Sequence, residues 1–127
     1  MKIRIKGNSL RFRVTRSEVE RLLKTGRIEE TMWLGSEDSS RLTFALEHSG
    51  SVCAATLRSF HPEIAIVLPP QDVRDWSSSD EVGVYAMVSL GPRGFLDVAI
   101  EKDFACLDRS DEDNLDTFPH PLSEARC

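Results

Sequence analysis

The stretch KIRIKGNSLRFRV, residues 2–14, decides the architecture. Ile3 and Ile5 alternate with Lys2, Arg4 and Lys6, and Leu10, Phe12 and Val14 alternate with Arg11 and Arg13. A period of two belongs to a strand, whose successive side chains point to opposite faces. Between the two runs stand Gly7, Asn8 and Ser9, and Gly and Asn tolerate the positive φ of a tight turn. The stretch reads as a β-hairpin with one apolar and one basic face.

Working outward, Thr15 stands three residues before Glu18, the spacing of a capping box, and Val19, Leu22 and Leu23 supply an apolar stripe. This predicts a helix over 16–25, closed by Gly26. Period two then resumes, with Ile28, Glu30, Met32 and Leu34 on one face and Glu29, Thr31 and Trp33 on the other, and again with Leu42, Phe44 and Leu46. Val52–Ser59 reads as a strand with Cys53, Ala55 and Leu57 inward, and Ile64, Ile66 and Leu68 as the next, stopped by Pro69 and Pro70. Short polar turns between these four strands predict an antiparallel meander. Pro70 followed by Asp72 predicts a short helix over 70–76, with Val73 and Trp76 inward. Val82, Val84, Ala86, Val88 and Leu90 alternate, as do Leu96, Val98 and Ile100 across the turn GPRG, which gives a second hairpin.

The expectation is an α+β domain, mainly antiparallel β, with about eight strands and two short helices. Its apolar face needs a cover. The sheet can fold over as a sandwich or curl, and a curled, barrel-like sheet is the expected form. No internal sequence repeat stands behind the symmetry of the element order. Residues 1–103 read as the domain, and 104–127 as an acidic C-terminal tail docked by Phe104, Leu107 and Phe118.

A chain of 127 residues with 40% hydrophobic and 29% charged residues is in the globular range and builds one core. No apolar run is long enough to span a bilayer, and the alternating start is unlike a signal peptide, so no membrane association is expected. Cys53, Cys106 and Cys127 are too few and too unevenly spaced for a secreted disulfide framework, which points to a cytoplasmic protein. The net charge of −5 conceals a segregation: residues 1–27 hold nine Lys or Arg against two Glu, and the acidic excess lies in the rest. Mutual neutralisation within the fold is the simplest reading, and a surface for an anionic ligand or protein partner is the functional one.

Three constellations carry possible chemistry. The first is the basic hairpin face: Lys2, Arg4, Lys6, Arg11 and Arg13. Turned into a closed barrel opposite Glu29, Glu47, Asp97 and Glu101, it is the arrangement that holds polyphosphate and a divalent cation; turned outward, it is a solvated face. Nucleic acid is disfavoured, because Phe12 is the one aromatic among these cations and it lies on the opposite face. The second is Cys106, His120 and Cys127 amid carboxylates, a ligand set for zinc or copper without the close pairing of a structural site. The third is nucleophilic catalysis by Cys53, Cys106 or a Ser with His48, His61 or His120. The GxSxG, HExxH, P-loop and GxGxxG signatures are all missing, and Cys53 reads as a buried small hydrophobe.

The opening KIRIKGNSLRFRVTRSEVERL and the late run EKDFACLDRSDEDNLDTFPHP together resemble a family of small, uncharacterised bacterial proteins of unknown function. The resemblance covers essentially the whole chain and implies a bacterial source and a self-contained domain. It brings no substrate, cofactor or catalytic residue, and His120 stands where that family commonly carries Asn. The functional expectation is a small binding or interaction module. The alternative is a phosphate- or metal-dependent enzyme using the hairpin face, or transition-metal binding by the tail.

Overall fold

The computed structural model describes residues 1–104 and 116–119. Its elements are β1 (Lys2–Lys6), β2 (Ser9–Val14), α1 (Arg16–Thr25), β3 (Arg27–Trp33), β4 (Arg41–His48), β5 (Thr56–Phe60), β6 (Glu63–Leu68), α2 (Pro70–Ser77), β7 (Gly83–Ser89) and β8 (Phe95–Lys102). The expected hairpin and both helices are present. In α1, the Thr15 side chain accepts from the Glu18 N–H while Glu18 returns a bond to the Thr15 N–H, and Gly26 closes the helix at φ 81°. That left-handed φ costs glycine nothing sterically.

The strands form two four-stranded sheets, one ordered β1-β2-β8-β7 and the other β3-β4-β6-β5. Neither closes into a barrel. After β2 the chain crosses through α1 into the second sheet, and after β6 it crosses back through α2, so each sheet keeps two edges. The meander expectation fails for the same reason. β4 and β6 pair in parallel and β5 lies outside them, while β2 and β8 pair in parallel at the centre of the first sheet.

The inner faces share one core. Leu10, Phe12 and Val14 of β2 and Val98 and Ile100 of β8 pack with Phe44 and Leu46 of β4 and Ile66 and Leu68 of β6. Phe12 and Phe44 meet edge to face, 6.4 Å between centroids. Val19 and Leu22 of α1 and Val73 and Trp76 of α2 complete the cluster, and the Trp76 indole donates to the Val82 carbonyl at 3.1 Å. Truncating a ring such as Phe12 or Trp76 to Ala costs about 3–5 kcal/mol.

The fold is an internal duplication. β1, β2, α1 and β4 correspond to β5, β6, α2 and β8 at one constant offset, the one separating Ser9 from Glu63. The pairings obey it too: Ser9 faces Asp97 as Glu63 faces Thr43. Between the halves only Arg4 and Arg58, Val19 and Val73, Leu42 and Leu96, Ala45 and Ala99, and Glu47 and Glu101 keep residue identity. The repeat therefore survives as pattern. β7 is displaced by two residues from the place of β3. An even shift preserves which side chains face inward.

Two details differ from expectation. The strand read over Val52–Ser59 starts at Thr56, because the chain bends at Cys53 and Ala54, and Cys53 is an exposed free thiol rather than a buried hydrophobe. Met32 and Leu34 continue the inward face of β3 past the core and are exposed.

Candidate functional site: the two outer sheet faces

The alternation of β1 and β2 that buries Leu10, Phe12 and Val14 sends Lys2, Arg4, Lys6, Arg11 and Arg13 to the outer face of the first sheet. Register sets the rows across that face. Lys2 lies beside Arg13 and then Glu101, Arg4 beside Arg11 and then Ala99 and Tyr85, and Lys6 beside Ser9 and then Asp97 and Met87. All five cations are thus brought together on an open face, and no closed barrel interior surrounds them. Of the four carboxylates expected opposite them, Asp97 and Glu101 share the face, while Glu29 and Glu47 belong to the other sheet.

The electrostatics of this face are uneven. Arg11 pairs with Glu101 at 3.0 Å and Lys2 with buried Asp103 at 3.3 Å. Tyr85 donates to the second Glu101 oxygen at 2.7 Å, and burial together with that bond pushes the phenol up to about 12. Arg4, Lys6 and Arg13 have no ion pair among the described residues. Tyr85 and Met87, on β7 beyond the carboxylate row of β8, and Phe95, at the start of β8, stand more than half exposed.

The outer face of the second sheet has different chemistry. Arg27 bonds Glu29, Glu47 and Glu63, and Arg58 bonds Glu47 and Glu63, a lattice of two guanidinium groups and three carboxylates. The hydrogen bond from Arg58 holds Glu47 below the usual carboxylate range, and that from Arg27 does the same for Glu63. Ala45 and Ala65, on the central strands between Glu29 and Arg58, leave room above the sheet. A cleft of about 590 Å³ opens beside them over the Thr31, Thr43 and Glu63 row, between Trp33 of β3 and Phe60 of β5. Sequence reading missed it. The available signal was Trp33 falling on the polar face of its strand.

A second cavity, about 440 Å³, lies beside the end of α2. Lys102 is buried in it, donates to the Ser79 carbonyl at 2.6 Å and stands 5.4 Å over the Phe118 ring, and burial lowers its pKa. Phe118 meets Phe104 edge to face, and Asp116 accepts from the Ser17 N–H at 3.3 Å. Cys106, His120, Cys127 and Leu107 lie outside the described residues. Among the described residues no three His, Cys, Asp or Glu come together as a metal site, and no helix is long and apolar enough to cross a membrane.

Residues 1–122 match the family described as a family of unknown function, DUF7009. The chain belongs to that family. No match was found among curated proteins or among solved structures. DUF7009 carries no assigned activity, so a functional reading has to come from the two faces themselves.

Proposed function

We propose that the protein is a non-enzymatic interaction module whose first-sheet outer face docks the acidic surface of a partner protein. The observation that carries this reading is the trio Arg4, Lys6 and Arg13, which have no ion pair among the described residues and stand on an open sheet face in a chain of net charge −5. Cations with no ion pair among the described residues are available to an external partner, and on a flat face they steer association and fix orientation. A protein fits better than a polyphosphate. Asp97 and Glu101 run between the cations and the exposed Tyr85 and Met87, so a phosphate backbone reaching the ring would cross like charge. An acidic protein surface edged by apolar side chains meets both halves of the face.

The test uses poly-L-glutamate as a mimic of an acidic surface and a thymidine oligomer as a phosphate polyanion. The wild type should bind poly-L-glutamate with an affinity that falls as salt rises, and R4E/K6E/R13E, folded by circular dichroism, should not bind. Equal poly-L-glutamate binding by the variant removes the reading. Tighter binding of the thymidine oligomer than of poly-L-glutamate replaces it with nucleic-acid recognition.

A further inference from the structure

The second sheet offers a site that goes beyond this reading and does not depend on it. From the geometry of its cleft we infer that the outer face of the β3-β4-β6-β5 sheet binds a neutral oligosaccharide, with Trp33 and Phe60 as ring platforms. The two rings are 61% and 82% exposed, and they project from the two edge strands of one face. Four strands set those edges about 14 Å apart, a span of two or three sugar rings. An aromatic face carries the negative part of the ring quadrupole. It attracts the polarised C–H groups that line one side of a pyranose, and the stacking excludes water from both.

The floor between the rings is made of hydrogen-bonding groups. Thr31, Thr43, Glu63 and Phe60 form one row across the sheet, and Trp33 and Arg41 form the next. The Thr31 and Thr43 hydroxyls lie 2.9 Å apart, and the Arg58 guanidinium and Glu63 carboxylate lie side by side at 3.3 Å. Adjacent donors and acceptors of this kind match the vicinal hydroxyls of a sugar. A guanidinium has five N–H donors and a carboxylate about four acceptor sites, so each keeps capacity after its ion pairs are made. Those ion pairs also hold the groups in place before a ligand arrives.

Charge selects the ligand class. Glu29 and Glu63 line the cleft with Arg41 and Arg58, two of each sign, so neither an anion nor a cation is favoured. A proline-rich peptide also packs on aromatic rings, but it needs an apolar groove between them. Here the groove carries hydroxyls and charged pairs.

The experiment titrates the full chain with cello-, xylo-, malto- and chito-oligosaccharides and with a proline-rich peptide, following the two tryptophan indole N–H resonances and intrinsic fluorescence. Buried Trp76 is the internal reference. The expected result is a saturable shift of the Trp33 signal with one saccharide series while Trp76 stays fixed, weakened roughly tenfold or more in W33A and in F60A. Both substitutions remove exposed rings, so both variants should keep the wild-type circular dichroism. The inference is overturned if no saccharide moves the Trp33 resonance at millimolar concentration, if the peptide alone moves it, or if both alanine variants bind as the wild type does. Poly-L-glutamate binding by the first sheet should be unchanged in W33A, which separates the two proposals.

Discussion

Gly83 opens β7 where that strand runs hard against β8. A Cβ built there lies 2.5 Å from the Ile100 carbonyl oxygen and 3.0 Å from Glu101 Cγ. Backbone on the facing strand cannot swing aside as a side-chain tip can, so the constraint is one of space. Gly83→Ala should therefore destabilise the fold by about 1–3 kcal/mol, the usual cost of overpacking. Gly50→Ala, with nothing within 4 Å of the added carbon, is the control and should change stability little. Urea denaturation of both variants decides it, and equal midpoints would show that the strands do not approach this closely. No local pattern in the sequence distinguishes the two glycines, since the crowding comes from a strand outside the segment. Cys53 departs from its expected burial for a local reason: the chain bends at Cys53 and Ala54, so the alternation of residues 52–59 belongs to a strand only from Thr56.

The elements were legible wherever a local rule applies. The capping box placed the first turn of α1, and strict alternation placed β1, β2, β4, β6, β7 and β8. Removing the Thr15 oxygen tests the first of these. Thr15→Ala leaves the Glu18 N–H without its cap and should cost about 1 kcal/mol in a thermal or urea melt. The pairing of elements was not legible, because parallel contacts such as β2 with β8 join residues far apart in sequence and leave no trace in either strand alone. The ion lattice of β3, β4, β5 and β6 is a product of that pairing, and it gives the second sheet a pH dependence. Glu47 and Glu63 have folded pKa values below the ordinary value of 4.5. The unfolded chain therefore binds more protons in the acid range, so stability rises with pH there. The contribution is complete above about pH 4.5 and is lost as pH falls through the lower, folded values. E47Q/E63Q should accordingly show a shallower acid limb between neutral pH and pH 3, measured as melting temperature against pH. An acid limb as steep as the wild type's would place the protonation elsewhere.

At the scale of the molecule, the duplication decides what can fold and what can bind. Each half, β1 to β4 or β5 to β8, sends one hairpin to each sheet, and the strands of the two halves pair in the parallel centres β2 with β8 and β4 with β6. A half alone holds two separate two-stranded hairpins and one helix, and an isolated hairpin is marginal in water. The core also divides between the halves, with Phe12, Leu22 and Phe44 on one side and Ile66, Trp76 and Ile100 on the other. Residues 1–50 and 51–127, cut at the exposed Gly50 turn, should therefore each be unfolded by circular dichroism and should regain sheet signal when mixed. The complex ought to show the buried emission of Trp76, which neither the isolated fragment nor exposed Trp33 can give. A fragment that folds by itself would mean that the hairpins do not depend on the parallel centres. The same arrangement explains how one repeated pattern yields two unlike surfaces. Arg4 and Arg58 are equivalent, as are Glu101 and Glu47, yet Arg11 stands in one half where Ala65 stands in the other. In the first sheet that Arg shares Glu101 with Tyr85, and Arg4 has no ion pair among the described residues, whereas in the second the small Ala65 lets Arg58 reach Glu47 across the sheet. Unlike side chains at equivalent positions, Arg11 against Ala65 together with Lys6 against Phe60, Ser9 against Glu63 and Arg13 against Val67, thus separate an open basic face from a charge-balanced cleft, and they place the two proposed ligands on opposite sides of one core.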